Sequence, residues 1–231
     1  MKNNFVLYKD LLTINGYNKE TNKEKFILIP TNGDLVFGKY KKDMSMLEYG
    51  EQIAVRKTIY EKLLRVATEL KKINKNYKLL VSYGFRDMKK QQEYFNDILE
   101  KVKNDFDSEM EMYEYIHEKI AVPTVAGHPT GGAVDAAIYD EEESKILDFG
   151  SELLDYSTTK CYYENDDISV KAKKNRKLFR TIMMKEGFAP YDGEWWHFSY
   201  GDKEWAFYYK KQEALYDQIE AKKVFTEFID N

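Results

Sequence analysis

The stretch "AGHPTGGAVDAAIYD", residues 126 to 140, places the strongest constraint on how this chain folds. A short apolar run after turn residues is typical of a buried strand, and this run follows Gly131 and Gly132. His128 and Asp135 lie in the same stretch, although both groups are costly to bury without a partner. Two glycines let the backbone bend. A loop histidine and a strand aspartate can therefore converge on one site.

Helical and strand patterns alternate along the rest of the chain. Apolar residues at helical spacing predict helices over residues 51–74, 88–102 and about 109–119. Residues 76–84 read as a strand that ends at Gly84. A further helix is predicted from its N-cap, Ser169, to its stop, Gly187, with its lysines and arginines on a solvated face. Without a linker or a repeat, the 231 residues are expected to form one domain, 1–231.

Composition excludes several classes of function. The chain has 36 basic and 40 acidic residues and a net charge of −4, which argues against nucleic-acid binding. Its first residues lack the apolar core of a signal peptide, and nowhere do about 18 apolar residues run together. We therefore expect a cytoplasmic protein with no membrane partner. The one cysteine, Cys161, excludes an internal disulfide and is best explained as a packing thiol.

The second stretch with site chemistry is "PYDGEWWHFSY", residues 190 to 200. Glu194 and His197 are three residues apart, and in a regular strand their side chains would point to opposite faces. Both can reach one site if the chain turns or bulges near Gly193. The same fragment would also suit an aromatic core strand with a satisfied histidine. The remaining histidine, His117, lies on a predicted helix outside both stretches and is expected to be a bystander.

Two imidazoles and one carboxylate, from His128, Asp135 and His197, form the ligand set of a catalytic zinc site rather than of a closed structural one. A nearby carboxylate that does not bind the metal, Glu194, would be the general base for the attacking water. The oxyanion formed by that attack needs a cation or a donor. Arg86 follows a predicted strand, and its loop could aim the guanidinium inward.

Taken together, the fragments resemble the zinc D-alanyl-D-alanine dipeptidases of the vancomycin-resistance type and their D,D-carboxypeptidase relatives. The resemblance extends over about residues 77–201. It is carried by Tyr83-Gly84-Phe85-Arg86, by His128-x-x-Gly131-x-Ala133-x-Asp135, and by Glu194-x-Trp196-His197.

The resemblance implies an α+β fold with a small antiparallel sheet flanked by helices. It also implies one zinc ion per chain on His128, Asp135 and His197, with Glu194 as the catalytic base and Arg86 stabilising the tetrahedral intermediate. The implied substrate is a small peptide that contains D-amino acids.

Among the substrates that the resemblance implies, free D-Ala-D-Ala is favoured, because a cytoplasmic protein does not meet the cross-linked wall. In the dipeptidases an acidic residue after a Gly-Ser/Thr turn holds the substrate's amino group. Here Asp155 follows Gly150-Ser151, one place later than the pattern. Two alternatives stay open. One is a D,D-carboxypeptidase that trims a wall precursor, and the other is a non-catalytic, zinc-stabilised peptide-binding domain.

Overall fold

The structure is a computed structural model that describes residues 5–40 and 50–229. Its helices are α1 (Tyr8–Leu11), α2 (Lys57–Ile73), α3 (Met88–Val102), α4 (Glu109–His117), α5 (Val170–Lys185), α6 (Lys203–Tyr208) and α7 (Ala221–Ile229). Its strands are β1 (Phe26–Leu28), β2 (Val36–Gly38), β3 (Ala54–Arg56), β4 (Tyr77–Tyr83), β5 (Ala133–Asp140), β6 (Lys145–Ile146), β7 (Ala189–Pro190) and β8 (His197–Ser199).

The main sheet has the strand order β2-β4-β5-β8-β7, with β6 paired to the far end of β5. Its pairings are antiparallel except for β2 and β4, which run parallel. A parallel pair needs a crossover connection, and β3 and α2 lie in the connection between these two strands. The predicted α+β fold is confirmed, with this one parallel pair added to the antiparallel sheet.

Helix α2 packs against β4 through the apolar stripe that its spacing predicted. Ile59, Leu63, Val66 and Leu70 are fully buried. The helix starts at residue 57 and not at 51, because residues 54–56 pair with β1 as a strand. Pairing with a distant segment thus overrides the local helical spacing at this end.

Helix α5 has the predicted ends. The Ser169 side chain accepts a hydrogen bond from the Ala172 amide at 3.0 Å, and Gly187 takes a φ of +84° just past the helix. The predicted solvated basic face is wrong at one position, since Arg176 is 2% exposed. Its guanidinium donates to backbone carbonyls, among them that of Phe149 at 2.7 Å. Arg176 therefore holds the loop before α5 in place.

Strand β5 lies at the centre of the sheet and is buried, as its apolar run predicted. One hydrophobic core joins β4 and β5 to α2 and α5. Within the described ranges, no helix combines the length and the apolar character needed to cross a membrane. Residues 1–4, 41–49 and 230–231 lie outside the description, so the predicted single domain over 1–231 stays a prediction.

Candidate active site

Strand pairing brings Asp135 and His197 together. The two residues are direct partners in the antiparallel register of β5 and β8, which places their side chains on the same face of the sheet. His197 Nδ1 lies 3.0 Å from Asp135 Oδ1. A turn at Asp192 and Gly193 precedes β8, as the spacing of Glu194 and His197 required. Residues 62 apart in sequence thus become nearest neighbours.

His128 reaches the same place from a loop. It begins a short 3-10 turn that ends at Gly131, where the φ of +74° favours glycine and a Cβ would lie 2.3 Å from the Phe26 ring. His128 Nδ1 donates to the Gly84 carbonyl at 2.7 Å. That bond leaves Nε2 facing Asp135, 3.4 Å from Oδ2. The imidazole is therefore held in one tautomer by the end of the neighbouring strand.

The three groups fit a metal ion. One ligand atom from each of His128, Asp135 and His197 lies within 4.8 Å of the others. Asp135 is 1% exposed, and its Oδ2 has no hydrogen-bond partner among the described residues, as a carboxylate oxygen reserved for a cation would be. Burial lowers the pKa of His128, which keeps that imidazole neutral. Burial alone would raise the pKa of Asp135, yet the two histidines hold it below its usual range. A neutral imidazole and an ionised carboxylate are the states that bind zinc. Burial alone would lower the pKa of His197, yet Asp135 and Glu204 hold it well above its ordinary value, so zinc binding there would release a proton.

Glu194 lies beside this set without belonging to it. Its Oε2 accepts a hydrogen bond from the Trp196 indole at 2.9 Å and is 3.9 Å from His197 Nδ1. Burial raises the pKa of Glu194 to about 7. A carboxylate with a raised pKa, close to the candidate ligands, has the properties of a general base.

Arg86 comes from the loop after β4 and is 4% exposed. Its amide donates to the His128 carbonyl at 3.2 Å, and its Nη1 donates to Gln91 Oε1 at 2.8 Å. The guanidinium Nε is buried with no hydrogen-bond partner within the described ranges. A fixed cation with a spare donor is suited to a developing oxyanion.

One small cavity is lined by four of these five residues, all but Asp135. Its free volume is about 70 Å³, enough for a few water-sized molecules. Part of its lining, here named the catalytic wall, consists of the predicted residues Arg86, His128, Glu194 and His197. Tyr191 and Glu204 also line it, and Glu204 Oε2 lies 3.6 Å from His197 Nε2.

Another part of the lining, here named the outer wall, could not be predicted from the sequence. It consists of Val6, Leu11, His117 and Val125. Val6 and Leu11 stand in no sequence motif. They reach the cavity because α1 packs against α4. His117, expected to be a bystander, is one of these lining residues, and its Nδ1 accepts a hydrogen bond from the Val122 amide at 3.2 Å. Its role stays a prediction.

Asp155 is the one predicted site residue that neither lines the cavity nor belongs to the candidate ligand set. It is half-buried, its Oδ1 accepts from the Ser157 amide at 2.9 Å, and it is not among the described residues that line the cavity. The next residue, Tyr156, does line it. Contact between Asp155 and a substrate amino group therefore stays a prediction.

Comparisons with known proteins place the chain in a family. A family model described as D-ala-D-ala dipeptidase matches residues 42–219. A D-alanyl-D-alanine dipeptidase of Synechocystis sp. is 32% identical over 47% of this chain and 49% of that protein. One of Enterococcus faecium is 29% identical over 36% of this chain and 40% of that protein. The chain therefore spans half the length or less of these curated relatives.

Solved structures show more distant likeness. The LdcB LD-carboxypeptidase is 20% identical, with a TM-score of 0.46 over 80% of this chain and 72% of that one. A mutant of the D,D-pentapeptidase VanY in complex with Zn(II) is 17% identical, with a TM-score of 0.38 over 87% of this chain and 96% of that one. Because these TM-scores lie below 0.5, the match to residues 42–219 is the finding that places the chain.

Proposed function

The chain belongs to the D-Ala-D-Ala dipeptidase family, and on that premise we propose that it hydrolyses a D-Ala-D-Ala-type peptide bond in a free dipeptide. The observation that carries the proposal is the convergence of a metal-ligand set with a buried carboxylate and a buried guanidinium on one small cavity. One zinc ion would be held by His128, Asp135 and His197. Zinc supplies a Lewis acid that polarises the scissile carbonyl and lowers the pKa of water.

Glu194 is the proton carrier in this proposal. It takes a proton from the attacking water as the new carbon–oxygen bond forms, and it passes that proton to the leaving amine as the carbon–nitrogen bond breaks. The Trp196 indole donates to Glu194 Oε2 and so sets the orientation of the carboxylate. Burial favours the protonated form of Glu194 that this second step requires.

Arg86 is the oxyanion stabiliser. The Gln91 side chain fixes the Arg86 guanidinium and is itself held by the Ala121 carbonyl, to which it donates at 2.7 Å. Such a donor stabilises the transition state most when it needs no rearrangement at the moment of reaction. The enzyme thus has a base and an electrostatic stabiliser, and a purely metal-binding domain needs neither.

The choice of a free dipeptide over a longer peptide rests on charge. A free dipeptide carries an ammonium group, for which Asp155 remains the proposed counter-charge. A location in the cytoplasm, where wall precursors and free dipeptides occur without cross-linked wall, is part of the same proposal.

A substrate panel tests the function. Purified zinc-loaded protein is offered D-Ala-D-Ala, L-Ala-L-Ala, N-acetyl-D-Ala-D-Ala and a wall pentapeptide that ends in D-Ala-D-Ala, and released alanine is measured. We expect cleavage of the free D,D dipeptide, weaker cleavage of its acetylated form and no cleavage of the L,L dipeptide. Preference for the pentapeptide would replace the dipeptidase proposal with the D,D-carboxypeptidase one. Cleavage of none of the four would refute the proposed function.

A further inference from the structure

One polar group in the cavity lining has no part in the mechanism above. Tyr191 lines the cavity together with Glu194 and His197. Its hydroxyl oxygen is buried and has no hydrogen-bond partner among residues 5–40 and 50–229. Burying an unpaired hydroxyl destabilises a fold, so buried hydroxyls nearly always have partners. A partner that enters the cavity from outside would account for this exception.

The turn before β8 is shaped to receive the Tyr191 ring. A Cβ on Gly193 would lie 2.5 Å from Tyr191 Cε1 and 2.9 Å from its hydroxyl oxygen. Those distances are shorter than real Cβ contacts, so the residue at 193 must lack a side chain if the ring is to lie where it does. Gly193 therefore provides the space in which the Tyr191 ring folds back over the turn.

Backbone and ring contacts hold Tyr191 in this position. Its amide donates to the His197 carbonyl at 3.3 Å, and its carbonyl accepts from the Glu194 amide at 3.4 Å. Its ring meets those of His197 and Phe5 edge-on, at centroid distances of 6.2 and 6.4 Å. The direction of the hydroxyl is thus tied to the same turn that positions the proposed base.

We propose that Tyr191 is a further catalytic residue whose hydroxyl donates a hydrogen bond to an oxygen of the bound peptide. The inference rests on the proposed function, since a peptide brings carbonyl and carboxylate oxygens into the cavity. A tyrosine hydroxyl is protonated at neutral pH and can donate a hydrogen bond. Because the acceptor arrives with the substrate, the hydroxyl serves the reaction and not the stability of the free protein.

The substitution Tyr191→Phe tests this assignment, because it removes the hydroxyl oxygen and keeps the ring. The kcat/KM for the dipeptide is expected to fall about 10-fold or more, as for the loss of a hydrogen bond in a water-excluded site. The zinc content should equal that of the wild type. The Tm should be unchanged or higher, since the variant no longer buries an unpaired group.

Tyr209→Phe is the matched control. The Tyr209 hydroxyl donates to the Phe188 carbonyl at 3.0 Å, and Tyr209 is not among the described residues that line the cavity. Loss of this satisfied hydrogen bond should lower the Tm and leave kcat/KM unchanged. Tyr191→Phe is thus expected to lower kcat/KM without lowering Tm, and Tyr209→Phe to lower Tm without lowering kcat/KM. A general loss of structure would lower both.

An unchanged kcat/KM in Tyr191→Phe, with an active wild type, overturns the assignment and leaves the proposed function standing. A lowered Tm with loss of zinc also overturns it, because the hydroxyl would then be structural. A wild type that cleaves no member of the panel refutes the proposed function, and this inference with it.

Discussion

The catalytic wall and the outer wall of the cavity are held in place by different means. On the catalytic wall, His197 is set by the register of two paired strands, and His128 is set by a bond to the backbone after a third strand. On the outer wall, Val6 and Leu11 are set by the packing of α1 on α4. The amides of Tyr8 and Lys9 donate to the Glu114 carboxylate at 2.7 and 3.0 Å, which ties this short helix down.

The two walls also differ in the kind of residue that they contribute. The catalytic wall lies within residues 42–219, which match the family, and it carries the charged and metal-binding groups. Val6 and Leu11 precede the matched residues and contribute apolar surface to the same cavity. Changes to the catalytic wall should therefore alter metal binding and turnover, whereas changes to the outer wall should alter stability and fit.

Removing a proposed metal ligand should have the largest effect. His128→Ala and His197→Ala each leave two of three protein ligands, so both variants should lose zinc and with it nearly all activity. Elemental analysis of the purified proteins measures the zinc. Full zinc occupancy in both variants would show that these ligand assignments are wrong.

Replacing the proposed base should stop turnover while the metal stays. Glu194→Gln keeps the shape of the side chain but cannot accept a proton, so kcat should fall by at least about 100-fold. Zinc content should stay near that of the wild type, and Tm should not fall. Glu143→Gln, on the exposed turn after β5, is the matched control and should behave like the wild type.

The pH dependence of the wild type should agree with this role. A general base must be deprotonated, so activity should be lost as the pH falls through the pKa of Glu194. Burial raises that pKa above the ordinary range of a glutamate, which moves the loss of activity toward neutral pH. A bound cation would lower the pKa again and move the loss of activity to lower pH.

The Glu194→Gln variant also tests the ligand assignment. Loss of zinc together with activity in this variant would make Glu194 a ligand instead of the base.

The outer wall should give the smallest effect on catalysis and a clear effect on stability. Leu11 is 2% exposed and lines the cavity, whereas its neighbour Leu12 is 45% exposed. Leu11→Ala should cost about 2–5 kcal/mol of unfolding free energy, and Leu12→Ala should cost less than about 0.5 kcal/mol. Urea unfolding measures both. A fall in kcat for Leu11→Ala as large as that for Glu194→Gln would show that the outer wall also contributes to turnover.

Local patterns predicted the elements that support the catalytic wall. Residue spacing places α3 and β4 correctly, and Ser169 and Gly187 mark the ends of α5. The start of α2 could not be predicted from spacing, because β3 forms only when residues 54–56 meet β1. Arg176 could not be predicted as buried, because the carbonyls that it satisfies belong to distant loops.

The amino-acid sequence by itself determined which residue types could hold a metal and move a proton, since His128, Asp135, Glu194 and His197 stand in fragments whose spacing is typical of one family. It also determined that glycines at 131 and 193 would let the chain turn beside them. Tertiary structure alone decided that Asp135 and His197 face each other across two strands, that Tyr191 lines the cavity and has a buried hydroxyl, and that Val6 and Leu11 line the same cavity. The physical reason is range. Spacing and turns depend on neighbours in the chain, whereas these contacts depend on strand register and side-chain packing between segments far apart in sequence.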